Sequence, residues 1–160
     1  MTILIRPYTP ADRAFILALA PRFSAFELPA WRTHAEIDSA TSRYLQKTLD
    51  QQPPESFIFV AEAEQTGPAG FIHLQIQTDY FTNETNGYIS DLAVAPAFEG
   101  QGIARRLLKT AEDWAREHGF SRLSLYVFEG NTRARQLYAQ CGFAPEITRY
   151  VKPLSGQTPD

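Results

Sequence analysis

The stretch from Leu92 to Leu108 constrains this chain more than any other. Leu92-Ala93-Val94-Ala95-Pro96 runs through Glu99-Gly100-Gln101-Gly102 into Ile103-Ala104-Arg105-Arg106-Leu107-Leu108. A β-type run therefore passes through a Gly-x-Gly turn straight into a helix. Ala104, Leu107, Leu108, Ala111, Trp114 and Ala115 recur at helical spacing, which predicts one apolar face for a core. The first turn of such a helix leaves backbone N–H groups without intrahelical partners and carries the positive end of the macrodipole, a combination suited to a diphosphate. Gly100 and Gly102 have no Cβ to keep an anion away, and Arg105 and Arg106 add cations beside it.

A Gly-x-Gly turn also opens ordinary helices, so the kind of phosphate loop is tested on residue identity. A Walker loop needs Gly-Lys-Ser/Thr, whereas Gly102 is followed by Ile103; nucleotide hydrolysis is not supported. A dinucleotide fingerprint needs Gly or Ala where Arg105 stands and an acidic residue about twenty positions on, where Arg122 lies. Both alternatives fail.

The chain has 160 residues, 44% of them hydrophobic, enough for one core and too few for two ordinary domains. One domain is expected over residues 1–154, with a loose tail at 155–160. A formal charge of −3 argues against a nucleic-acid partner and suits a cationic substrate better. Cys141 is the one cysteine, so no intrachain disulfide forms. Its helical spacing from Ala134, Leu137 and Tyr138 predicts a small core residue rather than a nucleophile. No signal segment or membrane-spanning run is evident, and a cytoplasmic location is expected with no membrane partner. His34, His73 and His118 lack ligand spacing, so no metal is expected.

The alternation of elements predicts an α/β (α+β) fold, a mixed sheet flanked by helices. Thr2 to Arg6 is expected as a strand. Thr9-Pro10-Ala11-Asp12 starts a helix carrying Phe15, Leu19 and Phe23, interrupted by Pro21 and Pro29. A second helix is expected from Arg32 to Asp50. A hairpin follows, Phe57 to Glu62 with Ala69 to Thr78, and then a polar turn from Tyr80 to Asn86. Tyr88 to Val94 is the strand entering the Gly-x-Gly loop. Gly119 and Phe120 cap the helix after it, and Leu123 to Val127 alternates as a half-buried strand. Asn131 caps a short helix that Gly142 ends, and Glu146 to Lys152 closes the sheet.

In this order of elements the chain resembles the GNAT superfamily of acyl-CoA-dependent N-acetyltransferases. That family carries Gln/Arg-x-x-Gly-x-Gly/Ala after a strand reading roughly Leu-x-Val-x-Pro, matched here by Leu92 to Pro96 and by Glu99 to Ala104. Its Asn-x-x-Ala-x-x-Leu-Tyr-x-x-x-Gly-Phe segment is matched by Asn131, Ala134, Leu137, Tyr138, Gly142 and Phe143. Glu99 departs from the pattern by putting a negative charge where Gln or Arg is usual; Arg105 is the expected compensation.

The resemblance implies a central sheet of about six to seven strands with a splayed cofactor cleft, acetyl-CoA as acyl donor, and a possible homodimer. The donor's pantetheine arm would lie along Leu92, Ala93 and Val94. Gly100, Gln101, Gly102, Ile103, Ala104 and Arg105 would hold its diphosphate, with Asn131 and Ala134 as further contacts. Tyr138 would protonate the departing thiolate; otherwise it is an ordinary core-facing tyrosine. Asn131 also serves as a plain helix cap.

The amine acceptor needs a base, since exposing the lone pair of an alkylammonium of pKa about 10.4 at neutral pH costs roughly 4–5 kcal/mol. Asp91 is the candidate, with a structural carboxylate as the equal alternative. Glu27, Trp31, Tyr80 and Glu84 are the acceptor-binding candidates, with Asp79 as another carboxylate for the amine and Phe23, Phe26 and Phe81 adding aromatic surface. Three functions are open: transfer to a small cationic amine, transfer to a protein or peptide N-terminus, and a non-catalytic acyl-CoA-binding module.

Overall fold

The computed structural model describes residues 1–154; the tail expected at 155–160 lies outside them. Five strands lie side by side in chain order: β1 (Ile3–Pro7), β2 (Ser56–Ala63), β3 (Gly67–Thr78), β4 (Thr85–Val94) and β5 (Leu123–Leu125). The first four are antiparallel neighbours, and β5 runs parallel to β4. A parallel step needs a crossover, which α3 (Ile103–Glu117) supplies. Helices α1 (Arg13–Ala18) and α2 (His34–Gln51) lie between β1 and β2, and α4 (Thr132–Gln140) follows β5.

Apolar clusters form against both faces of the sheet. Ile16 and Leu19 from the α1 region, with Leu45 and Leu49 of α2, pack on Val60, Phe71 and Ala93. On the other face Ile103, Leu107, Leu108, Ala111, Trp114 and Ala115 of α3 pack on Ala61, Ile72, Leu74 and Ile89. This is the face that the sequence periodicity predicts, with Ile103 in the core in place of the expected Ala104. Each large side chain so buried contributes about 1.5–3 kcal/mol. The helix ends as expected: Gly119 is left-handed (φ 74°), its N–H bonds the Arg116 carbonyl, and the Phe120 N–H reaches back to Ala115 at 2.9 Å.

Several expectations are corrected. The described sheet has five strands rather than six to seven. Glu146 to Lys152 is not a strand: the segment pairs with nothing among the described residues, and its side chains are exposed. Strand-forming composition shows that a segment can pair, not where its partner edge lies. The turn after β3 is shorter than Tyr80 to Asn86, because Thr85 and Asn86 already pair with Thr78 and Gln77. Strand β5 stops at Leu125 rather than Val127. Pro21 breaks the first helix as expected, leaving Ala20–Ser24 as a 3₁₀ turn that holds Phe23.

One charged knot ties β1 to α1. Arg6 donates to both oxygens of buried Asp12 (2.8 and 2.9 Å) and pairs with Glu62 on β2. The Thr9 N–H also donates to Asp12 (2.9 Å). The Arg6 hydrogen bonds hold the Asp12 carboxyl below the usual carboxylate range, against the opposing cost of burial. A depressed folded-state pKa stabilises above the unfolded value of about 3.9, and that stabilisation is lost as pH falls through the folded value. Arg6→Ala, which strands a buried carboxylate, is expected to cost about 2–4 kcal/mol in urea unfolding at neutral pH. The gap from the parent should narrow below about pH 4 as Asp12 is protonated in both.

Candidate active site

The cleft begins where β4 and β5 part. Their parallel ladder holds only Gly87↔Leu123, Tyr88↔Ser124 and Ile89↔Leu125. Beyond Ile89, β4 keeps its bonds to β3 on one side and, among the described residues, has no strand on the other. Backbone polar groups on that edge from Ser90 to Val94 are therefore open to an extended, amide-bearing ligand. The expected pantetheine positions, Leu92, Ala93 and Val94, lie on this free stretch.

The parting coincides with a β-bulge. His73 pairs with Asp91 but Leu74 pairs with Ile89, so Ser90 is an extra residue on β4. Ile89 and Leu92 both serve the α3 face, which leaves Ser90 and Asp91 together on the α2 face. Here a polar network is built. Asp91 Oδ2 lies 2.8 Å from His73 Nδ1, and His73 Nε2 lies 3.1 Å from Ser56 Oγ. Gln75 donates to the Tyr44 hydroxyl (2.7 Å), which is 3.0 Å from Ser90 Oγ. A carboxylate can only accept, so in the Asp91–His73 contact Nδ1 carries the hydrogen. His73 is fully buried and Asp91 is 8% exposed. Tyr88 stands beside them, its phenol pushed up to about 12 by burial and then by the Asp91 charge.

At the far end of β4 the Gly-x-Gly turn enters α3. Gly100 and Gly102 have φ of 75° and 78°, and a Cβ at either would meet open space. Glycine is required for the left-handed backbone, more than for room. Among the described residues no side chain caps α3, and Arg106 is the first residue whose N–H reaches back, to the Gly102 carbonyl at 3.2 Å. The N–H groups of Ile103, Ala104 and Arg105 are thus left without an intrahelical partner, at the loop where the sequence leads one to expect an anion.

Glu99 is matched differently from expectation. It pairs with Arg22, from the segment after α1, and with Arg133 at the start of α4 (3.0 Å). Arg105 does not compensate it. The Arg105 guanidinium instead bonds Gln140 and approaches Cys141 Sγ at 3.7 Å. Cys141 is half-buried against the α3 core, close to its expected role.

Tyr138 is half-buried on α4, packed edge-on against Phe143 (5.8 Å) within the α3-side cluster that includes Leu92 and Val94. Burial pushes its phenol up to about 12, so the group keeps its proton at neutral pH. Tyr138 and Asp91 therefore flank β4 from opposite faces. Asn131 caps α4, its Oδ1 accepting from the Ala134 N–H at 3.3 Å.

The acceptor candidates divide. Glu27 lies against the segment before α4: its backbone carbonyl is where a Cβ on Gly130 would sit (2.1 Å), and Phe26 packs on Phe128 (5.6 Å). Trp31 is 39% exposed in the same segment. Tyr80 and Glu84 lie on the β3–β4 turn, at the end of β4 away from the Gly-x-Gly loop, and are not brought to Asp91. Asp79 accepts the N–H groups of Thr82 and Phe81, which hold its carboxyl low and commit it to the turn. Sequence reasoning missed His73, Tyr44 and Ser90. The signal for His73 was one polar residue inside Gly70-Phe71-Ile72-His73-Leu74, where a polar side chain needs a buried partner.

The sequence profile of the acetyltransferase (GNAT) family matches residues 20–143. The chain belongs to that family. A mycothiol acetyltransferase of Jonesia denitrificans is 37% identical over 125 residues, 76% of this chain but 38% of that protein's length. An aminoglycoside N(6')-acetyltransferase type 1 of Stenotrophomonas maltophilia is 25% identical over 87% of this chain and 84% of its own. The GNAT fold is also that of a putative acetyl transferase from Pyrococcus furiosus, with a TM-score of 0.76, 24% identity, and 96% and 100% of the two chains covered. Among the described residues no helix is long and apolar enough to cross a membrane.

Gly102→Val is expected to weaken acetyl-CoA binding at least about tenfold by calorimetry, since it strains the loop that aims the open N–H groups. Gly119→Val carries a similar left-handed strain at the other end of α3 and should lower stability with affinity unchanged.

Proposed function

We propose that this chain is an acetyl-CoA-dependent N-acetyltransferase that transfers directly to a primary amine of a small cationic molecule. The observation that carries this is the free edge of β4 from Ser90 to Val94, leading into open N–H groups at the start of α3. An extended amide chain ending in a diphosphate has this shape and chemistry. The backbone of Leu92 to Val94 would hold the pantetheine amides. Gly100 to Arg105 would hold the phosphates, with Asn131 and Ala134 at the start of α4 beside them.

The reaction forms one C–N bond and breaks one C–S bond. The amine nitrogen attacks the thioester carbonyl, its proton passes to Asp91, and the departing thiolate takes the Tyr138 proton. His73 acts as a positioning residue: its Nδ1–H holds one Asp91 oxygen and leaves the other for the amine. Tyr138 suits the acid role because its phenol carries a proton through the neutral range and it packs in the same cluster as Leu92 and Val94. Direct transfer needs no acyl-enzyme, and half-buried Cys141 is not used. Asp91 and Glu27 supply negative charge toward a cationic acceptor. The small acceptor finds support in relatives named for aminoglycoside and mycothiol acetylation.

The test is release of free thiol from acetyl-CoA with kanamycin, spermidine, alanine amide and a short peptide with a free N-terminus, with binding followed calorimetrically. Amine-dependent release is expected; binding without release across the panel would favour the non-catalytic module. Tyr138→Phe is expected to lower kcat about 100-fold or more with acetyl-CoA affinity within about twofold. Asp91→Asn should lower kcat/KM by a similar factor. His73→Gln should lower kcat by less and alter the pH–rate profile, which a loss of packing alone would not do.

A further inference from the structure

Three tyrosines that the proposed transfer does not use gather beside Asp91. Ile89 packs on the α3 side, so strand alternation turns Tyr88 to the α2 face, where it pairs across with Gln75 on β3 and Ser124 on β5. Leu123 and Leu125 also pack on the α3 side, which turns Tyr126, one step past the end of β5, the opposite way. Its ring meets that of Tyr88 edge-on at 5.9 Å. Tyr44 reaches the same patch from α2. Its hydroxyl accepts from Gln75 (2.7 Å) and lies 3.0 Å from Ser90 Oγ, and its ring lies 6.0 Å from that of His73. Tyr126 is 87% exposed and Tyr44 39%. Clustered aromatic surface left in water marks a place where something binds.

Charge decides what that is. The groups that act on the Tyr88 phenol, after burial, are Asp91, Tyr44 and Tyr126: one carboxylate and two phenols, with no lysine or arginine among them. Tyrosine rings offer the negative face of a quadrupole, which attracts a cation without taking its proton. One Asp91 oxygen is held by His73, and the other is committed to the amine that reacts. A second cation on the same molecule is left to the rings. A carboxylate in that place would instead face Asp91 at close quarters and be repelled.

We propose that the acceptor carries at least two ammonium groups, the reacting one at Asp91 and another held against the rings of Tyr88 and Tyr126, with Tyr44 bounding the patch on the α2 side. The acceptor class is then a diamine or polyamine, and an amine bearing a free carboxylate is rejected. The place of the reacting amine rests on the transferase reading; the cation site rests on the rings.

Three four-carbon amines separate charge from chain length: putrescine, n-butylamine and γ-aminobutyrate. By thiol release from acetyl-CoA, kcat/KM for putrescine is expected to exceed that for n-butylamine about tenfold or more, mainly through KM, with γ-aminobutyrate lowest. Tyr126→Ala, at an exposed position, is expected to reduce the putrescine preference at least about fivefold, whereas Tyr126→Phe keeps the ring and the preference. A preference lost equally in both variants would mean a hydroxyl contact and overturn the cation site. Equal use of all three amines by the parent, or a preference unchanged in Tyr126→Ala, overturns it too. Binding is read separately, by calorimetry of putrescine and n-butylamine on the full chain saturated with CoA. Putrescine binding no tighter than n-butylamine overturns the site. Putrescine binding that Tyr126→Ala weakens, with no thiol release from any amine, would support the site while removing the transferase reading.

Discussion

Three ladder pairs decide this molecule. Strand β4 is bonded to β3 along its whole length, but β5 accompanies it only from Gly87 to Ile89. A fourth and fifth pair would close the sheet and leave no room for a ligand backbone. The extra residue at Ser90 lies where the ladder ends, because a bulge raises local twist and bends the strand that carries it. The same bulge places Ser90 and Asp91 consecutively on the α2 face. One irregularity therefore opens the edge proposed for the donor and places the carboxylate proposed as the base.

Charge around the Gly-x-Gly loop follows a similar economy. Glu99 faces the region where an anionic ligand is expected, which taken alone disfavours binding. Its pairing with Arg22 and Arg133 makes the three residues together cationic by one unit. It also joins the segment after α1 to the start of α4 across the mouth of the loop. The departure from the family pattern is thus a redistribution of positive charge onto neighbouring elements, which no pattern within the loop can express.

Much of the fold was legible because its signals are local. The apolar spacing of α3, its glycine-led start, the Gly119–Phe120 cap and the Asn131 cap each depend on residues a few positions apart, and each is found. The hairpin of β2 and β3 follows from strand composition around Gly67 and Pro68. The errors are non-local. Residues 146–152 have strand composition but are bonded to no strand edge among the described residues. Arg105 lies next to the loop in sequence, yet its guanidinium reaches α4. Tyr80 and Glu84 precede β4 and were expected in the acceptor region, whereas strand direction places them at the end of β4 away from the Gly-x-Gly loop.

By itself, the sequence determined most of the helices and strands, where a glycine-led turn opens α3, and which family two spaced motifs resemble. These follow from backbone geometry and periodicity, which act over one or two turns. Tertiary structure decided what those segments do for one another. His73 reads as a lone polar residue in an apolar strand until β4 brings Asp91 to 2.8 Å and β2 brings Ser56 to 3.1 Å. Glu27 reads as a loop charge until the close approach at Gly130 seats its backbone against the segment before α4. A buried polar group is stabilised by partners that are close in space, and that proximity exists only once the sheet has formed.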